Sequence, residues 1–288
     1  MDSHVHVSFK NSVSDTEKVV RTAIKKNIQF VVLAYHGTTE RFGEFLENHR
    51  LRTCSITALG EKGNESVAKI RHVGGHIYLI KGQQIDTEQG DIIGWPITEQ
   101  IDPENKSLDT ICNELKAQGA LRVLPHPDKE QEEYFSGMIR SKHIDIVEYD
   151  NLPKILMYLF LNGSNDLVKK FSKEHKVPLY AGSDTRDPKR IKAHTRLERC
   201  SIEKFSRLSK PEQVRDYIFE RLSHGRAFIQ VDHERLSNFI SNYMVHMASA
   251  AKNDPKGTFI SFGKSRIREM KSVLRTGVSK YLPYNHKQ

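Results

Sequence analysis

The feature that most constrains this chain is a recurring cycle. A short run rich in Val, Ile, Leu or Tyr is followed by a stretch with apolar residues at helical spacing, and then by another short run. Strands are read at 5–9, 30–34, 77–80, 92–96, 121–124, 144–149, 178–181 and 227–231. Between them lie SDTEKVVRTAIKK, SLDTICNELKAQG, LPKILMYLFLNG, DLVKKFSKEHK and PEQVRDYIFERLSHG. In the first of these Ser14 or Asp15 can cap a helix whose face carries Val19, Ala23 and Ile24. Several of these segments stop at Gly, as helices do. Strand alternating with crossover helix is the signature of parallel sheet. The cycle runs along most of residues 1–235, with a poorly patterned connection at 52–76, and suits a closed or nearly closed β/α barrel better than two doubly wound domains. No internal repeat or low-complexity segment interrupts it.

Composition removes other classes. The chain has 288 residues, enough for one large domain or two modest ones. At 37% hydrophobic and 28% charged, it is neither collagen, coiled coil nor wholly disordered. No apolar run approaches the ~18 residues that span a bilayer, and MDSHVHVSF lacks a basic stretch leading into an apolar one, so a cytosolic protein without a membrane partner is expected. Cys54, Cys112 and Cys200 form no CxxC pair, which argues against a disulfide framework and against a thiolate zinc site.

The placement of the histidines carries more than their number. His4 and His6 lie two apart on the first strand, so both imidazoles project to one face, as two ligands of one ion must. His36 follows FVVLAY, His126 follows LRVLP, Glu148 closes IDIV and Asp184 follows VPLYAGS, so each stands at the C-terminal end of a strand. In a β/α barrel, ligands from distant parts of the chain converge on that rim. Histidine with carboxylate and no thiolate suits divalent zinc, manganese or iron, ions that polarise phosphoryl oxygens and supply hydroxide near neutral pH. The remaining histidines are read as surface or structural residues.

At these residues the chain resembles the polymerase and histidinol phosphatase (PHP) family, metal-dependent phosphoesterases on a distorted β/α barrel. DSHVH is similar to the family's DLHxH, AYHGTTE stands at TDHxT, and GQQIDTEQGDIIGW is similar to the GxE segment with GEIIGLF. LPHP matches the PHP tripeptide segment, DIVEYDN looks like the IEVYN strand, and AGSDTRDP stands at GSDAH. The resemblance covers residues 1 to about 230 and implies a distorted (β/α)7 PHP-type barrel over 1–232, with 233–288 left as a C-terminal helical, basic extension. It further implies one or two divalent ions, the first held by His4, His6 and Asp184, the second by Asp91 and His126, and a phosphate-ester substrate.

The sequence departs from the family at several of these places. Gln84 stands where the family has a bridging Glu, and a neutral amide lacks the charge that offsets repulsion between two cations. Tyr35 replaces the Asp of TDH, Asn11 or Ser12 stands where an acidic residue is usual, and Arg186 replaces the histidine of GSDAH. A third metal position retains only His36 and is expected to be empty. Arg186 and His36 are the candidates for catalysis. Arg186 can place a fixed positive charge beside a bound phosphate, and a salt bridge to Asp150 or Asp187 is an equally open reading. Two functions follow: a phosphoesterase, acting on nucleic acid or on another phosphate ester, and a catalytically impaired barrel serving as a binding or scaffold subunit.

The charge is uneven. Of the net +9, residues 251–288 hold +7, from nine Lys or Arg against Asp254 and Glu269. GTFISFGKS in this tail is not a phosphate loop, because five residues separate Gly257 from Gly263 and only 23 residues follow Ser265. KSRIREMKSVLR places Ile267, Met270 and Leu274 on one helical face, with Lys264, Arg266, Arg268, Lys271 and Arg275 around it. Three readings stay open for this tail: a nucleic-acid contact, a dock for a protein partner, and a solvated terminal helix. The segment 234–251 has apolar residues at helical spacing, which fit packing on the barrel or a homo-oligomer interface. An ATPase partner is also within what the resemblance allows.

Overall fold

A computed structural model of the chain describes residues 1–7, 13–36, 38–127, 131–149, 164–185, 187, 189, 191, 195–198 and 201–229. The helix read at LPKILMYLFLNG, Arg186 and the whole of 233–288 lie outside them. The described elements run β1 (Asp2–Val7), α1 (Val13–Lys25), β2 (Phe30–His36), α2 (Glu40–Asn48), β3 (Ser55–Leu59), β4 (Val67–His72), β5 (Gly75–Thr87) and β6 (Gly90–Trp95). They continue with α3 (Leu108–Ala117), β7 (Leu121–Leu124), α4 (Glu132–Arg140), β8 (Ile146–Glu148), α5 (Ser164–His175), β9 (Leu179–Tyr180), β10 (Thr195–Leu197), α6 (Ile202–Ser206), α7 (Pro211–Ser223) and β11 (Ala227–Ile229).

The result is a mixed α/β fold around a curled sheet, with strand path β1-β2-β5-β6-β7-β8-β9. The sheet is not uniformly parallel, as the alternating pattern predicts. β6 runs antiparallel to both β5 and β7. The weak segment 52–76 holds β3 and β4, which add an antiparallel pair to the first half of β5. β11 does not extend the main sheet either; it pairs with β10 as a separate two-stranded ribbon. The ends of the path approach each other at a parallel bridge between Val5 and Thr185, where the His6 amide donates to the Thr185 carbonyl at 2.9 Å. The Ser183 amide donates to Asp2 Oδ1 at 2.9 Å beside it.

The two faces of the sheet follow the two-residue period of a strand. Phe30, Val32 and Ala34 of β2, Tyr78 and Ile80 of β5, Ile93 and Trp95 of β6, Val123, Ile146 and Tyr180 share one face, and α6 and α7 pack on it through Phe205, Val214, Tyr217 and Ile218. Burying each aliphatic or Phe side chain there contributes ~1.5–3 kcal/mol. The Tyr78 hydroxyl fixes the α6 end by donating to the Phe205 carbonyl at 2.8 Å. On the other face Val31, Leu33 and Tyr35 meet α1 and α2, and Ile92, Leu124 and Val147 meet α3, α4 and α5.

β5 reaches well beyond the apolar run that marks it in the sequence, because its polar residues are paired. Lys81 Nζ donates to the Thr98 carbonyl at 2.7 Å. Gln83 copies a strand partner: its amide donates to the Ile101 carbonyl at 2.7 Å and its oxygen accepts from the Ile101 N–H at 2.9 Å. These bonds remove the cost of burying polar groups and carry the strand on to Gln84 and Asp86. Among the described residues, no helix is long and apolar enough to cross a membrane.

Candidate metal centre

The face that carries the apolar core turns polar at the C-terminal ends of the parallel strands. His36 continues Phe30, Val32 and Ala34, and lies in register with Gln84. Gln84 and Asp86 continue Tyr78 and Ile80, and Glu148 follows Ile146 by two. Asp91 reaches the same end from the start of the antiparallel β6, directly opposite Asp86. His126 and Asp184 follow β7 and β9 and take left-handed backbone, with φ of 30° and 43°. For residues other than glycine this costs energy and recurs at functional sites.

His4, His6 and Asp184 meet here, each offering a ligand atom within 4.8 Å of the others. His6 Nε2 lies 2.7 Å from Asp184 Oδ1, and His4 Nε2 lies 3.7 Å from the same oxygen. The two imidazoles meet edge to face at 4.6 Å. Burial holds His6 below the usual histidine value, outweighing the Asp184 hydrogen bond that acts to raise it, which favours the neutral ring with one nitrogen lone pair to offer. Its Nδ1 is buried and has no hydrogen-bond partner.

His4 is held on both sides. Its Nδ1 lies 2.8 and 3.1 Å from the two oxygens of Glu148, and its Nε2 lies 3.0 Å from Gln84 Oε1. The orientation of the Gln84 amide is fixed from its other end, where Nε2 donates to Asp91 Oδ2 at 2.9 Å and to Asp86 Oδ1 at 3.3 Å. Carboxylates accept only, so the amide nitrogen must face them and the amide oxygen must face His4. If the Nδ1 proton faces Glu148, His4 Nε2 and the oxygens of Gln84 and Asp184 all turn lone pairs toward one another. A proton or a cation must lie among them. The donor set, two imidazoles and a carboxylate without thiolate, is one that zinc, manganese or iron accepts.

A second group adjoins the first. His126 Nε2 lies 3.9 Å from Asp91 Oδ2, and the His126 ring stacks at 6.3 Å on that of His4. His36 stacks at 4.6 Å on His6, and its Nδ1 lies 3.5 Å from Asp86 Oδ2. The structure thus brings together His4, His6, Asp184, Gln84, Asp91, His126 and His36 from six segments of the chain. Arg186, Lys264, Arg266, Arg268, Lys271 and Arg275 lie outside the described residues. Sequence reasoning gave Asp86 no role and placed Glu148 on the strand-end rim without assigning it to a metal. Asp86 stands two residues beyond Gln84 on one strand and so shares its face, a signal that the period alone contains. Glu148 is visible as a strand-end acid, but its bond to His4 spans 144 positions and only the fold reveals it.

No family model matches the sequence. An uncharacterized protein of Methanocaldococcus jannaschii is 25% identical over 137 residues, which is 44% of this chain and 66% of that protein. Among solved structures, the chain is similar to a two-domain protein from Bacteroides vulgatus containing a predicted PHP-like metal-dependent phosphoesterase. The TM-score is 0.49 and the identity 16%, over 83% of this chain and 68% of that one. It is also similar to a protein of Bifidobacterium adolescentis provisionally named a metal-dependent phosphoesterase, with TM-score 0.42 and 14% identity over 75% of this chain and 94% of that one.

Proposed function

We propose that this chain is a metal-dependent phosphoesterase of PHP type. In this reading His4, His6 and Asp184 hold one divalent ion, and Asp91 and His126, with Gln84, offer a second, weaker position. The observation that carries the reading is the convergence of potential ligand atoms at His4 Nε2, where Gln84 Oε1 stands at 3.0 Å and Asp184 Oδ1 at 3.7 Å. When bound, such an ion acts as a Lewis acid on phosphoryl oxygens and promotes ionisation of water near neutral pH. The chain supplies the rest. His36, with Asp86 beside its Nδ1, is the candidate for proton transfer in this reading, and Arg186 carries a fixed positive charge for the substrate phosphate. Residues 1–232 form the catalytic domain and 233–288 a helical, basic extension whose +7 charge attracts polyanions.

One observation favours the alternative, a barrel that binds without catalysis. Gln84 joins the two groups as a neutral link, where a carboxylate would lend charge to both. Elemental analysis of the wild type and of a His4→Ala, His6→Ala double variant, with hydrolysis assays on a nucleotide ester and on DNA with free ends, separates the readings. Bound metal lost in the variant together with turnover supports the enzyme. Bound metal without turnover supports the binding module, and equal, negligible metal in both proteins overturns the metal site.

A further inference from the structure

We propose that Glu148 is a positioning residue, whose carboxylate holds the Nδ1 proton of His4 so that only Nε2 is presented to a cation. The inference rests on the metal reading above and goes beyond it, because Glu148 belongs to neither proposed ligand set. Both of its oxygens face His4 Nδ1, at 2.8 and 3.1 Å, and its side chain is 3% exposed. A carboxylate this deeply buried needs a charged or proton-donating partner, and the imidazole supplies it.

The backbone is cut to fit this contact. A Cβ on Gly182 would stand 2.4 Å from His4 Cβ and 2.8 Å from Glu148 Oε1, so glycine alone lets the β9 end lie against both partners. The Ser183 hydroxyl donates to the His4 carbonyl at 3.2 Å and fixes the strand that carries the ring. A carboxylate behind a metal-binding histidine sets the tautomer and raises the basicity of the ligating nitrogen, and removing such a partner typically weakens metal affinity ~10–100-fold.

The test uses the full chain and zinc. Chelator competition at neutral pH compares the wild type with Glu148→Gln, whose amide oxygen can still accept from Nδ1 but carries no charge. Binding weaker by ~10-fold or more is expected, with the unfolding midpoint of the zinc-free variant showing that it folds. Long-range proton–nitrogen NMR on zinc-loaded wild type, with His4 assigned through its loss in His4→Gln, should show Nδ1 protonated and Nε2 shifted by zinc. This second measurement stands even where Glu148→Gln fails to fold. Zinc bound equally well by wild type and folded variant, or a His4 ring with no proton on Nδ1, overturns the inference and leaves the metal reading standing. A wild type that takes up no zinc overturns both.

Discussion

Replacing Gln84 by Glu should move stability in opposite directions with and without metal. Without metal, the substitution removes the donors that now serve Asp91 at 2.9 Å and Asp86 at 3.3 Å, and places a third carboxylate against them. Two carboxylates whose charges lie ~4 Å apart repel by about 1 kcal/mol at the dielectric of water and about 4 kcal/mol at the effective value near a protein surface. Asp91 is 27% exposed at its side chain and belongs between those limits, while Asp86, at 64%, adds toward the low end. A loss of roughly 2–4 kcal/mol follows, which for a chain of this size lowers the melting midpoint by roughly 4–16 °C. The penalty fades at acid pH, as the new carboxyl takes up a proton.

With zinc or manganese added, the added negative charge becomes an asset. Metal content should rise above that of the wild type, as should any phosphoesterase rate, and the midpoint should climb further per increment of metal, since an ion that binds only the folded chain stabilises it by mass action. Calorimetry with and without metal, at neutral and at acid pH, reads both signs. A metal-free Gln84→Glu protein as stable as the wild type would show that Gln84 does not face two carboxylates. A destabilised protein that no metal rescues would show that the amide is not beside a cation site.

Three further outcomes follow from geometry. Gly182→Ala drives a Cβ into the backbone nitrogen of His4 at 2.7 Å, and with no flexible side chain to give way it should cost ~1–3 kcal/mol or more; urea unfolding that matches the wild type refutes the contact. Burial pushes the Cys112 thiol up to about 12, so alkylation of the native chain followed by mass mapping should modify the half-buried Cys54 well before Cys112, and equal labelling would contradict the packing of α3. The lowered Glu148 carboxyl binds fewer protons folded than unfolded. Its contribution to metal-free stability is therefore present above the unfolded value of about 4.3 and is lost as pH falls through the folded one. Unfolding free energies across that acid range should flatten in Glu148→Gln, and an unchanged slope refutes the pairing.

Much of the site was legible because it obeys local rules. The two-residue step from His4 to His6 and the positions of His36, His126 and Asp184 just beyond apolar runs placed them at one end of the sheet, and the structure gathers them there. β2 and β7 were equally plain, being short apolar runs with helices on either side. What escaped was set by partners distant in sequence. β5 looked short because Lys81, Gln83 and Gln84 break the apolar pattern, and each is satisfied by groups that the fold brings up. β3 and β4 alternate exposed and buried residues too irregularly to stand out, since only their pairing with β5 organises them. The antiparallel course of β6 hung on a two-residue connection at Glu88 and Gln89, hidden in the gap between the strands read at 77–80 and 92–96.

The two hairpins that flank β5 differ in what the chain can absorb there. Val73 and Gly74 join His72 to Gly75 at one end of the strand, and Val73 is fully exposed. Glu88 and Gln89 join Thr87 to Gly90 at the other, with Asp86 and Asp91 opposed one pair further in. A residue inserted at 73–74 lengthens a loop that bears on no part of the proposed chemistry. One inserted at 88–89 that slipped the register by a single position would turn Asp91 to the opposite face of the sheet and take it out of reach of Gln84 and His126. The first turn is therefore where a tag, a label or an evolutionary insertion can enter without consequence, and the second is a fixed length of chain.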